Sequence, residues 1–362
     1  MKFLFVSGFQ HLPQMYGGVM SNTHEIALEL MRRGHDVSVA ANLLANGYVG
    51  FSTRLMGRLN PKKQFADHVM GYPTYRRWNV VKSLPRLVEA IRPDIAVVQP
   101  SRHIAAAREL NRLGVPVIVY FHDVLFDRMD GNPNELADAK FLANSEFTAR
   151  QYKKAFGIDS VVIPPVFKVE NYIARRRPRN VTFVNPQSFK GSDIALELVR
   201  RCPEIPFSFV ESWELPKEQK ALIHRQMEAC PNLELSGCTM NMKGIYSRAK
   251  LVLIPSRLEE AWGRVASEAQ LSGIPAVASN RGGLPEAVGP GGVLLDPDGP
   301  IEDWVDAVRK LWHDDGYYAK LSAAALKYSK RAEINPDIQI RTLLTVADMA
   351  IRQQHASHSP AA

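Results

Sequence analysis

Two doubly wound α/β domains in series are predicted by the 362 residues, and three observations predict them. Short Val/Ile-rich runs alternate with helical patterns over the first 160 residues, the βαβ signature of a parallel sheet. The periodicity then breaks at Pro164-Pro165 and at Arg175-Arg176-Arg177-Pro178-Arg179, as an interdomain linker does. After the break the same alternation restarts and runs to the final helices.

In the first half, Phe3–Val6, Val37–Ala40, Ile95–Gln99, Val117–Tyr120, Phe141–Ala143 and Val161–Ile163 read as strands buried on both faces. Helical stretches fall at Val19–Arg33, Val81–Ile91, His103–Leu113 and Phe147–Phe156, with Gly34 where a helix end is expected before the strand at Val37. In the second half the strands are Val181–Val184, Phe207–Val210, Leu233–Leu235, Leu251–Ile254, Ala276–Ala278 and Gly292–Leu295. Helices are expected at Ser192–Arg200, Lys217–Ala229, Asn241–Arg248 and Arg264–Leu271, then at Pro300–His313, Gly316–Arg331 and Pro336–Gln353. The expected division is residues 1–167, residues 168–335, a helix over 336–353 returning to the first domain, and a disordered tail over 354–362. Two such domains facing each other bring the carboxyl ends of both sheets around one central cleft, where nucleotides and phosphorylated ligands bind in these folds.

Composition narrows the function classes. At 46% hydrophobic and 23% charged the chain is an ordinary globular protein. No apolar run approaches the roughly 20 residues that cross a bilayer. Met1–Ser7 meets Gln10 and His11 too soon for a secretory segment and reads as a first buried strand. Three cysteines (Cys202, Cys230, Cys238) suit neither a disulfide framework nor a zinc site, and a cytoplasmic setting is the expectation. The net charge of +8 fits an anionic partner, but the basic residues are scattered and no nucleic-acid-binding module is visible.

Chemistry concentrates between Leu251 and Val288. A strand ends at Pro255-Ser256, a loop carries Glu259 and Glu260, and Gly263 precedes a helix containing Glu268. Backbone N–H groups of Trp262, Gly263, Arg264 and Val265 lie at that helix start, a place that favours phosphate. Glu268 sits among apolar Val265, Ala266, Ala269 and Leu271, so its carboxylate needs a partner. Lys190, before Gly191, opens another helix, where a cation opposes the dipole unless an anion lies between them.

Glu260-x7-Glu268, followed by Gly273-Ile274-Pro275-Ala276 and Gly282-Gly283-Leu284-Pro285-Glu286, resembles the retaining glycosyltransferases of the GT-B fold, family four (group 1). Tyr16-Gly17-Gly18-Val19, Gly34-His35-Asp36-Val37, His122, Asn144-Ser145-Glu146, Lys190-Gly191 and Ser236-Gly237-Cys238 agree with that family's pattern. The resemblance implies an N-terminal acceptor domain, a C-terminal nucleotide-sugar domain, and retaining, metal-independent transfer from a nucleotide-diphosphate sugar. Implied catalytic residues are Glu260, His122 and Lys190. Implied donor contacts are Gly17, Gly18, Lys190, Gly237, Trp262, Gly263, Arg264, Val265 and Glu268, with Glu268 on the ribose. Tyr16, His24, Arg54 and Arg58 are the candidate acceptor residues. No cofactor and no metal are expected, and Asp296-Pro297-Asp298 reads as a solvated turn. One departure stands out: Val184-Asn185-Pro186-Gln187 lacks the family's diphosphate arginine, for which Arg264 or Arg257 is a candidate substitute.

Asn46–Trp78 reads as a long basic loop with Arg54, Arg58, Lys62, Lys63, Arg76 and Arg77 among Phe51, Leu55, Met56 and Phe65. The helical spacing of Phe51, Leu55, Met56 and Leu59 fits either an acceptor loop or an interfacial helix on an anionic membrane. A glycan or lipid-linked acceptor, and a place at the inner face of the membrane, follow as expectations. The alternatives are a catalytically weak nucleotide-sugar-binding or scaffold protein, and an epimerase or phosphorylase of the same architecture.

Overall fold

A computed structural model describes residues 1–59 and 64–358. The chain divides into two compact units, Met1–Val166 with Pro336–Ala362, and Phe167–Asn335.

The first unit is built in the order β1 (Lys2–Gln10), α1 (Gly18–Arg32), β2 (Asp36–Asn42), α2 (Gly47–Leu59), β3 (Thr74–Arg77), α3 (Val80–Ile91), β4 (Ile95–Gln99), α4 (His103–Arg112), β5 (Val117–Phe121), β6 (Lys140–Ala143), α5 (Glu146–Phe156) and β7 (Val161–Val162). Its seven strands form one parallel sheet in the order β3-β2-β1-β4-β5-β6-β7, so the winding reverses between β1 and β4. Side chains of β1 alternate between two cores: Phe3 and Phe5 pack on the α1 side, Leu4 and Val6 on the α3–α4 side. That two-sided burial is why these strands read as unbroken apolar runs.

The second unit continues with β8 (Asn180–Val184), α6 (Ser192–Arg201), β9 (Phe207–Val210), α7 (Lys217–Ala229), β10 (Leu233–Ser236), α8 (Met242–Arg248), β11 (Ala249–Ile254), α9 (Arg264–Gln270), β12 (Ala276–Ser279), α10 (Leu284–Val288), β13 (Gly292–Leu295), α11 (Ile301–His313) and α12 (Asp315–Tyr328). Its parallel sheet has the order β10-β9-β8-β11-β12-β13, with the reversal between β8 and β11. Leu251 and Leu253 of β11 face one core, Val252 and Ile254 the other. The last helix, α13 (Pro336–His358), packs Ile340, Leu343, Val346, Ala347 and Ala350 against the first unit's sheet and α1. Their spacing of three and four residues makes one apolar stripe.

Four readings change. The stretch 46–78 is not one loop: it contains α2 and β3. β3 was invisible because its residues, Thr-Tyr-Arg-Arg, carry no apolar run. Arg76 is 1% exposed, so it is no part of a basic surface. Its Nε donates to Asp67 Oδ2 at 2.7 Å and its terminal nitrogens donate to the carbonyls of His11 and Leu12 at 2.9 and 2.6 Å. Lys62 and Lys63 lie outside the described residues.

The arginine run is likewise no free linker. Arg176 donates to the carbonyls of Ala249, Ser272 and Gly273 and to the Tyr318 hydroxyl, using the fixed fork of a guanidinium to tie the run onto the second unit. Finally, α13 continues to His358, into the stretch expected to be disordered; residues 359–362 lie outside the described ones. The continuation Gln353-Gln354-His355-Ala356 holds no helix breaker.

Candidate active site

Two loops meet at the carboxyl end of the second sheet, beside the reversal between β8 and β11. After β8, Asn185 adopts a left-handed conformation (φ 63°) and a short 3-10 turn, Ser188–Lys190, ends at Gly191 (φ 80°). A Cβ on Gly191 would lie 1.8 Å from the Pro255 carbonyl oxygen, so only glycine allows this approach. The backbone N–H groups of Arg257 and Leu258 donate to the Phe189 carbonyl at 3.1 and 3.3 Å and lock the loops together. Lys190 Nζ consequently stands 3.1 Å from Glu260 Oε1, with the two side chains 22% and 15% exposed.

The paired glycines hold Glu260 from the other side. A Cβ on Gly282 (φ 63°) would meet the Glu260 carbonyl at 2.5 Å, one on Gly283 the Ala261 carbonyl at 2.4 Å, and the Gly283 N–H donates to the Glu260 carbonyl at 2.6 Å. The Gly-Gly turn is therefore a backbone cradle for the Glu260 loop.

Gly263 (φ 118°) opens α9, with Arg264 and Val265 as its first residues. Trp262 is 5% exposed and its indole N–H donates to Ser267 Oγ at 3.0 Å, so this side chain belongs to the core. Glu268, expected to need a partner, has several. Tyr246 donates its hydroxyl to Oε2 at 2.8 Å, and Arg264 Nε donates to Oε1 at 3.1 Å. Arg264 also donates to the Tyr172 hydroxyl at 3.2 Å and lies 4.5 Å over the Phe167 ring.

In the resting protein both arginines proposed as substitutes for the missing diphosphate arginine are already paired. The Arg264 guanidinium is engaged by Glu268, Tyr172 and Phe167; that of Arg257 pairs with Asp193 and with Asp298. Asp298, expected as a solvated turn residue, binds both Arg257 and Arg281, whose hydrogen bonds hold its carboxyl below the usual range. Gly237 lies exposed just after β10. Asn185 Oδ1 and Ser256 Oγ, both buried at the ends of β8 and β11, have no partner among the described residues.

The remaining predicted residues belong to the first unit. Tyr16 and Gly17 precede α1, and Gly18 is its first residue. His122 follows β5, with its ring 4.1 Å from that of Tyr120, and Ser145 caps α5 by accepting from the Thr148 N–H at 2.9 Å. Arg54 and Arg58 are exposed on α2, beside exposed Tyr48, Phe51, Leu55, Met56 and Leu59.

His24, on α1, belongs to a network no sequence signal announces. The Tyr72 hydroxyl lies 2.9 Å from His24 Nδ1 and 2.8 Å from His11 Nε2, beside buried Arg76. Burial, then the charges of Arg76 and His24, drive the His11 pKa down to about 3, so this imidazole is neutral. Tyr172, His11 and Tyr72 sit in no motif, and the turn that reaches Tyr246 in the family's pattern does not reveal its bond to Glu268; each meets its partner only through the tertiary fold.

Both halves of the chain match known families: residues 188–328 the family described as Glycosyl transferases group 1, and residues 16–170 that described as Glycosyltransferase Family 4. A D-inositol 3-phosphate glycosyltransferase of Corynebacterium diphtheriae is 32% identical over 157 residues, 40% of this chain and 36% of that protein. Across such curated relatives the matched stretch spans between 18% and 52% of their length. Among solved structures, HepE of Anabaena in complex with UDP and glucose superposes with a TM-score of 0.75 at 18% identity, over 96% of this chain and all of that one. A UDP-GlcNAc 2-epimerase of Neisseria meningitidis bound to UDP-GlcNAc gives 0.60 at 14% identity, over 96% of this chain and all of that one. Likenesses this remote in sequence establish the fold, that of the GT-B enzymes, and no more.

Proposed function

Since this chain belongs to the family-four glycosyltransferases, we propose that it moves a sugar from a nucleotide-diphosphate sugar to a glycan, lipid-linked or small-molecule acceptor, with retention and without a metal. The observation that carries this reading is the Lys190–Glu260 pair at 3.1 Å, held at the sheet reversal by Gly191 and the Gly282-Gly283 cradle.

Breaking the bond to an anomeric carbon develops positive character on the sugar ring and negative charge on the departing diphosphate. Lys190 is the cation for the leaving group, and the backbone of Gly17-Gly18 and of Trp262–Val265 supplies further donors. Glu260 and His122 position the sugar, and Glu268 takes the ribose hydroxyls. The acceptor hydroxyl attacks from the face the diphosphate leaves, and the diphosphate takes its proton, so no enzyme nucleophile is required. Tyr16, His24, Arg54 and Arg58 are assigned to the acceptor. The relatives' name makes a phosphorylated cyclitol the first acceptor to try.

The setting proposed is bacterial envelope polysaccharide or glycoconjugate synthesis, in the cytoplasm, at the inner face of the membrane. Among the described residues no helix is long and apolar enough to cross a bilayer. The exposed apolar and arginine residues of α2, which has no acidic residue, favour peripheral contact with anionic lipid. An epimerase shares the fold, but the Glu260/Glu268 pattern favours the transferase.

Thermal unfolding against UDP, GDP, ADP and their sugar conjugates, with and without magnesium, tests the donor reading. A ligand at a hundred times its dissociation constant stabilises by about 2.7 kcal/mol. The expected result is a shift with one nucleotide family, independent of magnesium and lost in Lys190→Ala. No shift with any of them would sink the reading.

A further inference from the structure

We propose that Tyr246 and Arg264 are positioning residues that together aim the Glu268 carboxylate at the donor ribose. The proposal rests on Glu268 being the ribose ligand and deepens that reading.

Three observations carry it. First, the two residues take one oxygen each: Tyr246 donates to Oε2 at 2.8 Å and Arg264 Nε to Oε1 at 3.1 Å. Two grips on opposite oxygens fix the rotation of a carboxylate that one bond leaves free. A carboxylate offers about four acceptor positions, so it can be held in this way and still accept from a ligand's hydroxyls.

Second, local helix physics does not explain Arg264. As the first residue of α9 it places a cation at the positive end of the helix dipole. Its pairing with Glu268 four residues later also runs in the less favourable direction for such pairs. Its side chain is 11% exposed, so its solvation is lost as well. Contacts from elsewhere in the fold are among those that offset these costs: the Tyr172 hydroxyl at 3.2 Å and the Phe167 ring face at 4.5 Å, beside the Glu268 carboxylate.

Third, Tyr246 is fully buried at 0% exposure, and burial followed by the Glu268 charge pushes its pKa well above the usual value. It is therefore a permanent donor to Glu268 and never a competing anion. Its position on α8, just before β11, is fixed by the core that also holds Val252 and Ile254. The aim of the carboxylate is thus referred to the sheet rather than to the short α9 alone.

Discrimination between sugars of the nucleotide reads this out, because a merely structural role weakens all ligands alike. Affinities of UDP, GDP and ADP are measured beside those of their 2′-deoxy counterparts, for the wild-type protein and for Tyr246→Phe, Arg264→Met and Glu268→Gln. A hydrogen bond to a charged group corresponds to roughly ten- to a hundredfold in affinity, and the wild type is expected to prefer the ribose form by that order. Tyr246→Phe is expected to reduce the preference at least about fivefold while changing 2′-deoxy affinity less than about twofold. Arg264→Met, changed from the rim of the core, gives the same answer if the Tyr246 variant does not fold.

If Glu268→Gln removes the preference and both Tyr246→Phe and Arg264→Met keep it, the positioning role is refuted and the ribose reading stands. If Glu268→Gln keeps the preference, the ribose reading falls and the inference falls with it.

Discussion

Lowering the pH should cost the first unit stability through the buried imidazole of His11. His11 is 3% exposed, its Nε2 lies 2.8 Å from the Tyr72 hydroxyl, and Arg76, paired with Asp67, faces it from β3. Its pKa falls from 6.5 to about 3 on folding. A histidine depressed in this way stays neutral in the native state while the unfolded chain takes up a proton, so stability is complete above pH 6.5 and drains away as pH falls toward 3. At 1.36 kcal/mol per pH unit the loss is about 2 kcal/mol by pH 5 and has a ceiling near 5 kcal/mol. Urea unfolding at about pH 7.5 and pH 5 measures it, following the transition of the first unit in the wild type and in His11→Gln, which cannot titrate there. Other titrating groups are common to both proteins and cancel in the difference. The wild type should lose about 2 kcal/mol more than the variant between the two pH values. Parallel losses would show that the native state protonates His11 freely, and the buried network would not be what the distances describe.

Gly191→Ala places a Cβ 1.8 Å from the Pro255 oxygen at a φ of 80°. It should lower unfolding stability by about 3 kcal/mol or more and weaken nucleotide binding through Lys190. Gly237→Ala, where nothing lies within 4 Å, should stay within about 0.5 kcal/mol of wild type; equal effects at the two sites would undo the cradle argument. On α2, the wild type should co-sediment with phosphatidylglycerol vesicles at low salt and release as salt rises. Arg54→Glu with Arg58→Glu should abolish the binding, and failure of the wild type to sediment would remove the membrane contact.

How much was legible follows from what kind of constraint each residue obeys. Strands buried on two faces announce themselves, since Phe3–Val6 or Leu251–Ile254 leave no room for a polar residue. β3 does not, because its burial is satisfied by an ion pair: Arg76 with Asp67, and two carbonyls of the loop after β1. A basic residue in sequence carries no mark of whether it faces water or a carboxylate. The glycine motifs were legible for the opposite reason. At Gly191, Gly282 and Gly283 the neighbouring backbone leaves no space for a side chain, and such a demand fixes both residue type and spacing.

The same distinction separates the site's frame from its electrostatics. The family resemblance implies one site for Lys190, Glu260 and Glu268, but the tyrosines bonded around Glu268 lie elsewhere in the chain: Tyr246 is 22 residues from Glu268, and Tyr172 is 92 from Arg264, which pairs with Glu268. A lysine beside a helix start was expected to need an anion, and Glu260 provides one at 3.1 Å. The helix dipole, the cation and the carboxylate therefore already balance before any ligand arrives. On the proposed reading, a donor diphosphate gains Lys190 only by competing with Glu260. The carboxylate released in that exchange is then left beside the sugar, where positive charge develops as the bond breaks. One ion pair in the resting protein thereby sets two charges for the reaction, which neither residue's motif shows when read alone.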